Sequence, residues 1–339
     1  MKSSSHNLPK ISPDWQLTQP WTAKHLFIGI ALLAVLAFTG SRLEMPRMFK
    51  EIGEALGYSV GLTEKSPVAA GLARIGNSLF PIQIAEVTEV SRIENFDRNN
   101  LPLFARIEIQ ETKTAHLNHE TLQMETGIEK KEMLVAPLGY LKTVLVKMGE
   151  TLEIALWATV LAILLSIPLA YYAASNYSPN KLTYFLARSS ISLLRSVPEL
   201  ITALFLVLAF GFGPIAGVLA LALHAAGFLG KFYAEDIENA DRKPQQSLEA
   251  IGAGKLKTLW YGVLPQVIPQ YVAYNLYILD RNVRMATVIG LVGAGGIGQE
   301  LKGRFDMFHF SHVGTILVVI FITVLLLDQF SARTRKKLL

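Results

Sequence analysis

Five consecutive residues, Asp280-Arg281-Asn282-Val283-Arg284, place three charges inside a largely apolar stretch at 268–292. A charge at the centre of a membrane helix costs about 2.5–3.5 kcal/mol on insertion scales, so such residues face protein or a water-filled path. Asp280 and Arg284 are four apart, share a helical face and stand in the order that favours pairing. With two arginines and one acid, the patch leaves one positive charge without a local partner. The planar guanidinium fork suits tetrahedral oxyanions, and charged rings select ions in pores. Two readings are open. Asp280, Arg281, Asn282 and Arg284 line a substrate pathway, or Asp280 and Arg284 form an ion pair that fixes helix packing. The surplus charge favours the pathway.

Other chemistry-bearing residues are weaker candidates. Gly293, Gly295 and Gly298 match the dinucleotide fingerprint G-x-G-x-x-G, with 288–292 as a conceivable preceding strand. That motif needs an acidic residue about 20 positions on, within a βαβ unit. Leu317-Val318-Val319-Ile320-Phe321 stands there instead, so Gly293, Gly295, Gly296 and Gly298 are read as a turn that ends the fifth span near its outer mouth. His224, on an apolar helix, is read as a packed residue. His116 and His119 lack further ligands, and no metal site is expected. Arg195 and Glu199, four apart at a membrane boundary, could tie a surface helix to the third span. No Walker A motif occurs, and no nucleophile–base or paired-carboxylate arrangement falls in a span. Catalytic residues and cofactors are therefore not expected.

The elements that must position these residues are membrane helices. Half of the 339 residues are hydrophobic (51%), and they are clumped. Residues 154–174 and 200–230 carry no Asp, Glu, Lys or Arg, and a bilayer core needs roughly 20 apolar residues in a helix. The net charge of +5 reflects basic flanks, Lys2, Lys10 and Lys24 before the first apolar run and Arg333, Arg335, Lys336 and Lys337 after the last, so no nucleic acid is needed to explain it. This bias puts both ends in the cytoplasm and implies an even number of spans. There is no cysteine, which excludes disulfides.

Residues 1–21 read as a cytoplasmic tail and 22–41 as the first span, a retained anchor rather than a signal peptide, with Trp21 and Lys24 at the interface. An external segment follows at 42–147. Within it, 45–58 has helical spacing that suits the membrane surface, while 82–135 alternates with period two (Ile107 and Ile109; Leu122 and Met124) and predicts a small β-rich insert. The core is 148–330, followed by a cytoplasmic tail at 331–339. The second span is expected at 149–174, kinked by Pro168, and a helix at 180–195 on the cytoplasmic face. Run 200–230 as one helix would be about 46 Å long. Gly211-Phe212-Gly213-Pro214 supplies turn chemistry near its middle, which predicts two short spans with a tight external turn; one strongly tilted helix is the alternative. A polar cytoplasmic loop at 231–262, a fifth span at 268–292, an amphipathic piece at 299–311 and a sixth span at 313–330 complete an all-α membrane protein of six spans.

The loop contains Gln246-Ser247-Leu248-Glu249-Ala250-Ile251-Gly252-Ala253, and Pro265 follows within Gly262-Val263-Leu264-Pro265. Glycine between short helices gives a sharp turn, and proline suits the entry of the next span. This spacing of Gly252 and Pro265 resembles the EAA coupling loop of binding-protein-dependent ABC importer permeases. Gly252, Ala253 and Pro265 match that pattern. Gln246 stands where the family has glutamate and Ser247 where it has alanine. Further stretches resemble the phosphonate branch in order over about 148–337: Arg195-Ser196-Val197-Pro198-Glu199-Leu200, the run from Gly213 to His224, Gly227-Phe228-Leu229-Gly230-Lys231, Asn282-Val283-Arg284, and Val292 to Gly298.

The resemblance implies a type I ABC importer permease core carrying phosphonates or related phosphorus oxyanions across the bacterial inner membrane. It implies a homodimer, two ATP-binding subunits docked at a coupling loop (244–265, with Gln246, Glu249, Ala250, Gly252, Ala253 and Pro265), and a periplasmic phosphonate-type binding protein. Such a subunit is not an enzyme; a partner hydrolyses ATP. Two other classes remain open: a secondary transporter or channel using Asp280–Arg284 as an ion relay, and a membrane-anchored assembly or sensor protein built around 41–147.

Overall fold

A computed structural model describes residues 23–62, 65–93, 96–98, 101–102, 104–117 and 124–338. Lys2, Lys10, Trp21, His119, Leu122 and the expected tail at 1–21 lie outside them. The chain divides into two compact units, one ending at Gly76 and one running from Asn77 to Leu339.

The first unit holds helix α1 (Ala23–Arg42), α2 (Met45–Ser59) and most of α3 (Pro67–Leu79). Leu26, Phe27, Leu33 and Phe38 of α1 are all exposed, an apolar surface that suits contact with lipid. α2 is amphipathic, as its spacing predicts. Arg47 bridges Glu44 (3.1 Å) and Glu51 (2.9 Å) on its polar side, while Phe49, Ile52 and Leu56 remain uncovered.

The second unit opens on the β-rich insert. Strands β1 (Glu86–Glu89), β2 (Arg106–Leu117) and β3 (Met124–Ala136) form an antiparallel sheet in the order β1-β3-β2. β1 pairs only with the last residues of β3, Met133 to Ala136, whereas β2 follows β3 from Arg106↔Val135 to Leu117↔Met124. The hairpin therefore extends well past the three-stranded part. Two residues after β3, helix α4 (Gly139–Ala173) begins, ten residues before the expected second span. It runs on through Pro168.

α4 lies along α7 (Pro214–Asn239). The buried residues on the two helices are mostly small: Ala155, Ala158, Ala162 and Ala170 on one, Ala216, Gly217, Ala220 and Ala226 on the other. Lipid tails are as apolar as leucine, so close backbone approach between small residues drives association in membranes. α10 (Leu264–Gly290) packs on α4 and α7, and α12 (Phe310–Leu338) on α10. α11 (Gly296–Asp306) bridges α10 and α12. The first nine residues of the expected polar loop continue α7, so the loop proper starts at Ala240.

The division of 200–230 is as expected: α6 (Glu199–Phe210) ends at Gly211 and α7 starts at Pro214. The helix expected on the cytoplasmic face, α5 (Lys181–Ser196), takes a different course. It climbs along α7, with Arg188 paired to Glu238 (2.8 Å) at one end and Ile191 set into the groove left by Gly227 and Gly230. α5 and α6 meet at 89°. Among the described residues, four helices, α1, α4, α7 and α12, are long and apolar enough to cross a membrane, and the α5–α6 pair passes the same test jointly.

Candidate functional site

α10 carries the charged patch, and helical geometry sends its members to different neighbours. Asp280 is buried and pairs with Arg284, whose side chain is half exposed. The second Asp280 oxygen, Oδ1, is buried without a hydrogen-bond partner. Asn282 faces α4, where Nδ2 donates to Thr159 Oγ1 at 2.9 Å. Arg281 points the other way and pairs with Glu199 at the start of α6.

This last contact corrects the expectation of an unneutralised arginine. The acid lies 82 positions upstream, beyond the reach of any local pattern. Glu199 also receives His224 from α7, with Nε2 at 3.2 Å from Oε1, and Nδ1 of the same ring lies 3.1 Å from the Val197 carbonyl. His224 is packed, as expected, but within a polar network. Arg195 and Glu199 do not pair. The α5–α6 bend turns them apart, and Arg195 instead lies over the Phe228 ring at 4.8 Å, as does Arg281 at 5.1 Å.

The glycine cluster joins α10 to α11. Gly293, Gly295 and Gly296 have φ of 93°, 84° and 70°, a region L-residues other than Asn and Asp rarely enter. Gly213 N–H donates to the Gly293 carbonyl at 3.0 Å, and the Phe212 ring lies where a Gly293 side chain would be, so the two turns are joined. α4 caps α11: Gly296 N–H donates to Glu150 Oε1 (3.0 Å) and Ile297 N–H to Thr151 Oγ1 (2.8 Å). Gly298 lies against the Thr287 carbonyl and Gly290. The glycines thus follow a helix rather than a strand, and a carboxylate fills the helix start, which leaves no place for a dinucleotide phosphate. Glu150 and Thr151 gave no sequence signal as caps because they serve a helix on another part of the chain.

At the other end of the bundle stands a compact knob. α8 (Arg242–Ala250) is capped by Asp241, whose side chain accepts from Lys243 N–H at 3.0 Å. The chain reverses at Gly252 (φ 85°), with Ala253 N–H on the Leu248 carbonyl, and enters the short α9 (Lys255–Thr258). A π-helical turn, Leu259–Val263, leads into α10, with Pro265 in its first turn. Gln245 anchors the knob. It is buried, accepts from the Tyr177 hydroxyl (3.1 Å) and donates to the Asp241 carbonyl (3.1 Å). Burial pushes the Tyr177 phenol above its ordinary pKa, so it remains a donor. Gln246, Glu249, Ala250 and Pro265 are exposed and Ala253 is half-buried. Ile251, Leu256, Trp260 and Tyr261 are also exposed, between 63% and 80%. An exposed apolar patch of this kind marks an interaction surface.

A bundle of close-packed apolar helices, with charges inside and an exposed knob at one end, has the character of a membrane transport subunit. Residues 166–335 match the family of binding-protein-dependent transport system inner membrane components, and the chain belongs to that family. It is 64% identical over 261 residues to HtxE of Stutzerimonas stutzeri, described as a candidate phosphite transport system permease protein, a match covering 77% of this chain and 100% of HtxE. It is 44% identical over 187 residues to the phosphite transport system permease protein PtxC of the same species, covering 55% of this chain and 68% of PtxC. A chain of the MetNI methionine ABC transporter, inward facing, shares the fold with a TM-score of 0.52 at 20% identity, over 58% of this chain and 96% of that one. The chain is an inner-membrane permease component of type I ABC importer fold, and it works with an ATPase and a substrate-binding protein. The transport subunit is not itself the enzyme.

Proposed function

We propose that this chain is the permease of an ABC importer for phosphonates or related phosphorus oxyanions, such as phosphite or phosphate esters. The observation that carries the cargo is the 64% identity over the whole of HtxE. The interior charges agree with it, since arginine is the side chain whose fork fits such anions.

In this reading six helical spans cross the membrane: α1, α4, the broken α5–α6 pair, α7, α10 and α12. Both ends are cytoplasmic, and two permease copies pair with two ATPase subunits. A periplasmic binding protein delivers the anion to the outer mouth, near the Gly293–Gly298 turn. The anion passes Asp280, Arg281 and Arg284 on α10, which Asn282 holds against α4. The knob is the coupling element. ATP binding closes the ATPase pair, and Gln246, Glu249, Ala250, Gly252, Ala253 and Pro265 carry that movement into α7 and α10. The relatives reported above are transport permeases, which supports this reading over the relay-channel and sensor ones.

The test is reconstitution with the ATPase and binding protein, followed by uptake of labelled phosphite and methylphosphonate. Wild type should accumulate at least one of them in the presence of ATP and neither without it. Arg284→Ala should abolish uptake while leaving insertion and ATPase association intact. Normal uptake by this variant would sink the pathway role of α10.

A further inference from the structure

The contacts of α5 and α6 with α7 fix where the broken span is interrupted. Arg188 meets Glu238 near the end of α7, Ile191 meets Gly230 and Gly227, and Val197 and Glu199 meet His224 near its middle. α6 then continues to the outer turn, where Gly213 joins Gly293. Its 12 residues extend about 18 Å, roughly half a bilayer. α6 therefore begins inside the bundle, beside the middle of α7 and of α10.

A helix start exposes unpaired amides and the positive end of the backbone dipole. Half-helix starts at mid-membrane depth face anionic groups in several transporter folds. Here the start is surrounded by further donors: Arg281 and His224, both in contact with Glu199, and Arg195, which shares the Phe228 ring with Arg281. Arg195 Nε is buried without a hydrogen-bond partner. Among the described residues, Glu199 is the acid that pairs with Arg281. One guanidinium, that of Arg281, and the His224 imidazole thus converge on a carboxylate that the helix start itself carries, with the Arg195 guanidinium beside them across the Phe228 ring.

We propose that this cluster is an oxyanion subsite on the transport path, and that Glu199 is its resident counter-anion, exchanged by Arg281 for the phosphorus oxyanion. The proposal deepens the cargo reading and rests on it. A carboxylate and a phosphite oxyanion present similar oxygen acceptors to a guanidinium fork, so Arg281 can pass from one to the other without being left unpaired in a low-dielectric setting.

A purely structural ion pair makes the opposite prediction for a double variant. Removing both partners of a buried pair is often neutral, whereas removing one is costly. The experiment uses the permease–ATPase complex in lipid nanodiscs without binding protein, and reads equilibrium binding of labelled phosphite and of sulfate. Glu199→Gln frees Arg281 and should tighten phosphite binding about tenfold, the worth of a charged hydrogen bond. Glu199→Gln combined with Arg281→Gln should show no saturable binding in the nanodiscs and, reconstituted into vesicles with the binding protein and ATP, no phosphite uptake, although assembled. Unchanged binding by Glu199→Gln, or wild-type uptake by the double variant, overturns the proposal.

Should the double variant not assemble, Arg281→Lys in the Glu199→Gln background keeps the charge without the fork. It should lose most of the gain, and full retention overturns the proposal equally. If wild type takes up neither phosphite nor methylphosphonate, the cargo reading fails. The binding comparison, run with sulfate, still decides the subsite.

Discussion

At the residue scale, the contrast between Asn282 and Arg281 shows how one helix serves two purposes. Asn282 is fully buried and holds α10 to α4 through Thr159. In double-mutant cycles within membrane bundles such hydrogen bonds average about 0.6 kcal/mol, because the unfolded chain also finds partners. A cycle of Asn282→Ala and Thr159→Ala, read by unfolding in detergent, should give a coupling energy of that order; a value above about 2 kcal/mol would mean more than one contact is lost. The i,i+4 pairing of Asp280 and Arg284 was legible in the sequence because both partners lie on one helix. The Glu199–Arg281 pair was not. Spacing reports neighbours on an element, and the number of acids within a window says nothing about what a distant helix brings.

At the element scale, the sequence disclosed helices and turns better than their courses. Period-two alternation found the strands, and Gly211 to Pro214 found the break between α6 and α7. The polar stripe of α5, with Lys181, Arg188 and Arg195, suggests a surface helix, yet Arg188 and Arg195 meet Glu238 and Phe228 on α7. The groove at Gly227 and Gly230 that receives α5 is a property of two helices together. The knob was legible through Gly252 and Pro265, whose roles are local. At Gly252 nothing lies within 4 Å of an added Cβ, so alanine there meets only the backbone penalty of positive φ, about 1–2 kcal/mol. Gly252→Ala should therefore insert normally but re-aim the knob, reducing the ATPase subunit recovered on co-purification. Full recovery with unimpaired uptake would show that the turn angle is not used in coupling. Among the described residues, Gln246 has no partner that would force its departure from glutamate.

At the scale of the whole molecule, the transmembrane bundle and the hairpin arm are separable in their bonding. Among the described residues, the backbone ladder of β2 and β3 beyond the part shared with β1 joins these two strands to each other. A lone two-stranded hairpin is marginal in water, so the arm contributes little to the stability of the bundle. Replacing residues 112–129 with an Asn-Gly turn should leave membrane insertion and ATPase association at wild-type levels, checked by membrane fractionation and co-purification. Loss of the inserted protein would show that the arm is needed for folding. The family match, 166–335, lies entirely in the unit that starts at Asn77, and about a quarter of the chain has no counterpart in HtxE.

α7 runs unbroken for 26 residues, from the turn fastened to Gly293 to the foot of the knob, where Asp241 N–H meets Gln266. Its lateral contact with Glu199 through His224 is not at the centre. The arms on either side are about 15 Å toward the outer turn and about 22 Å toward the knob. Taken as a beam pivoting at that contact, α7 has a mechanical advantage of about 1.5 in favour of the mouth. A tilt of about 5° shifts its knob end by about 2 Å and its outer end by about 1.3 Å in the opposite sense. For a beam so pivoted, a force at the knob end is increased at the Gly213 end, with its travel reduced in proportion.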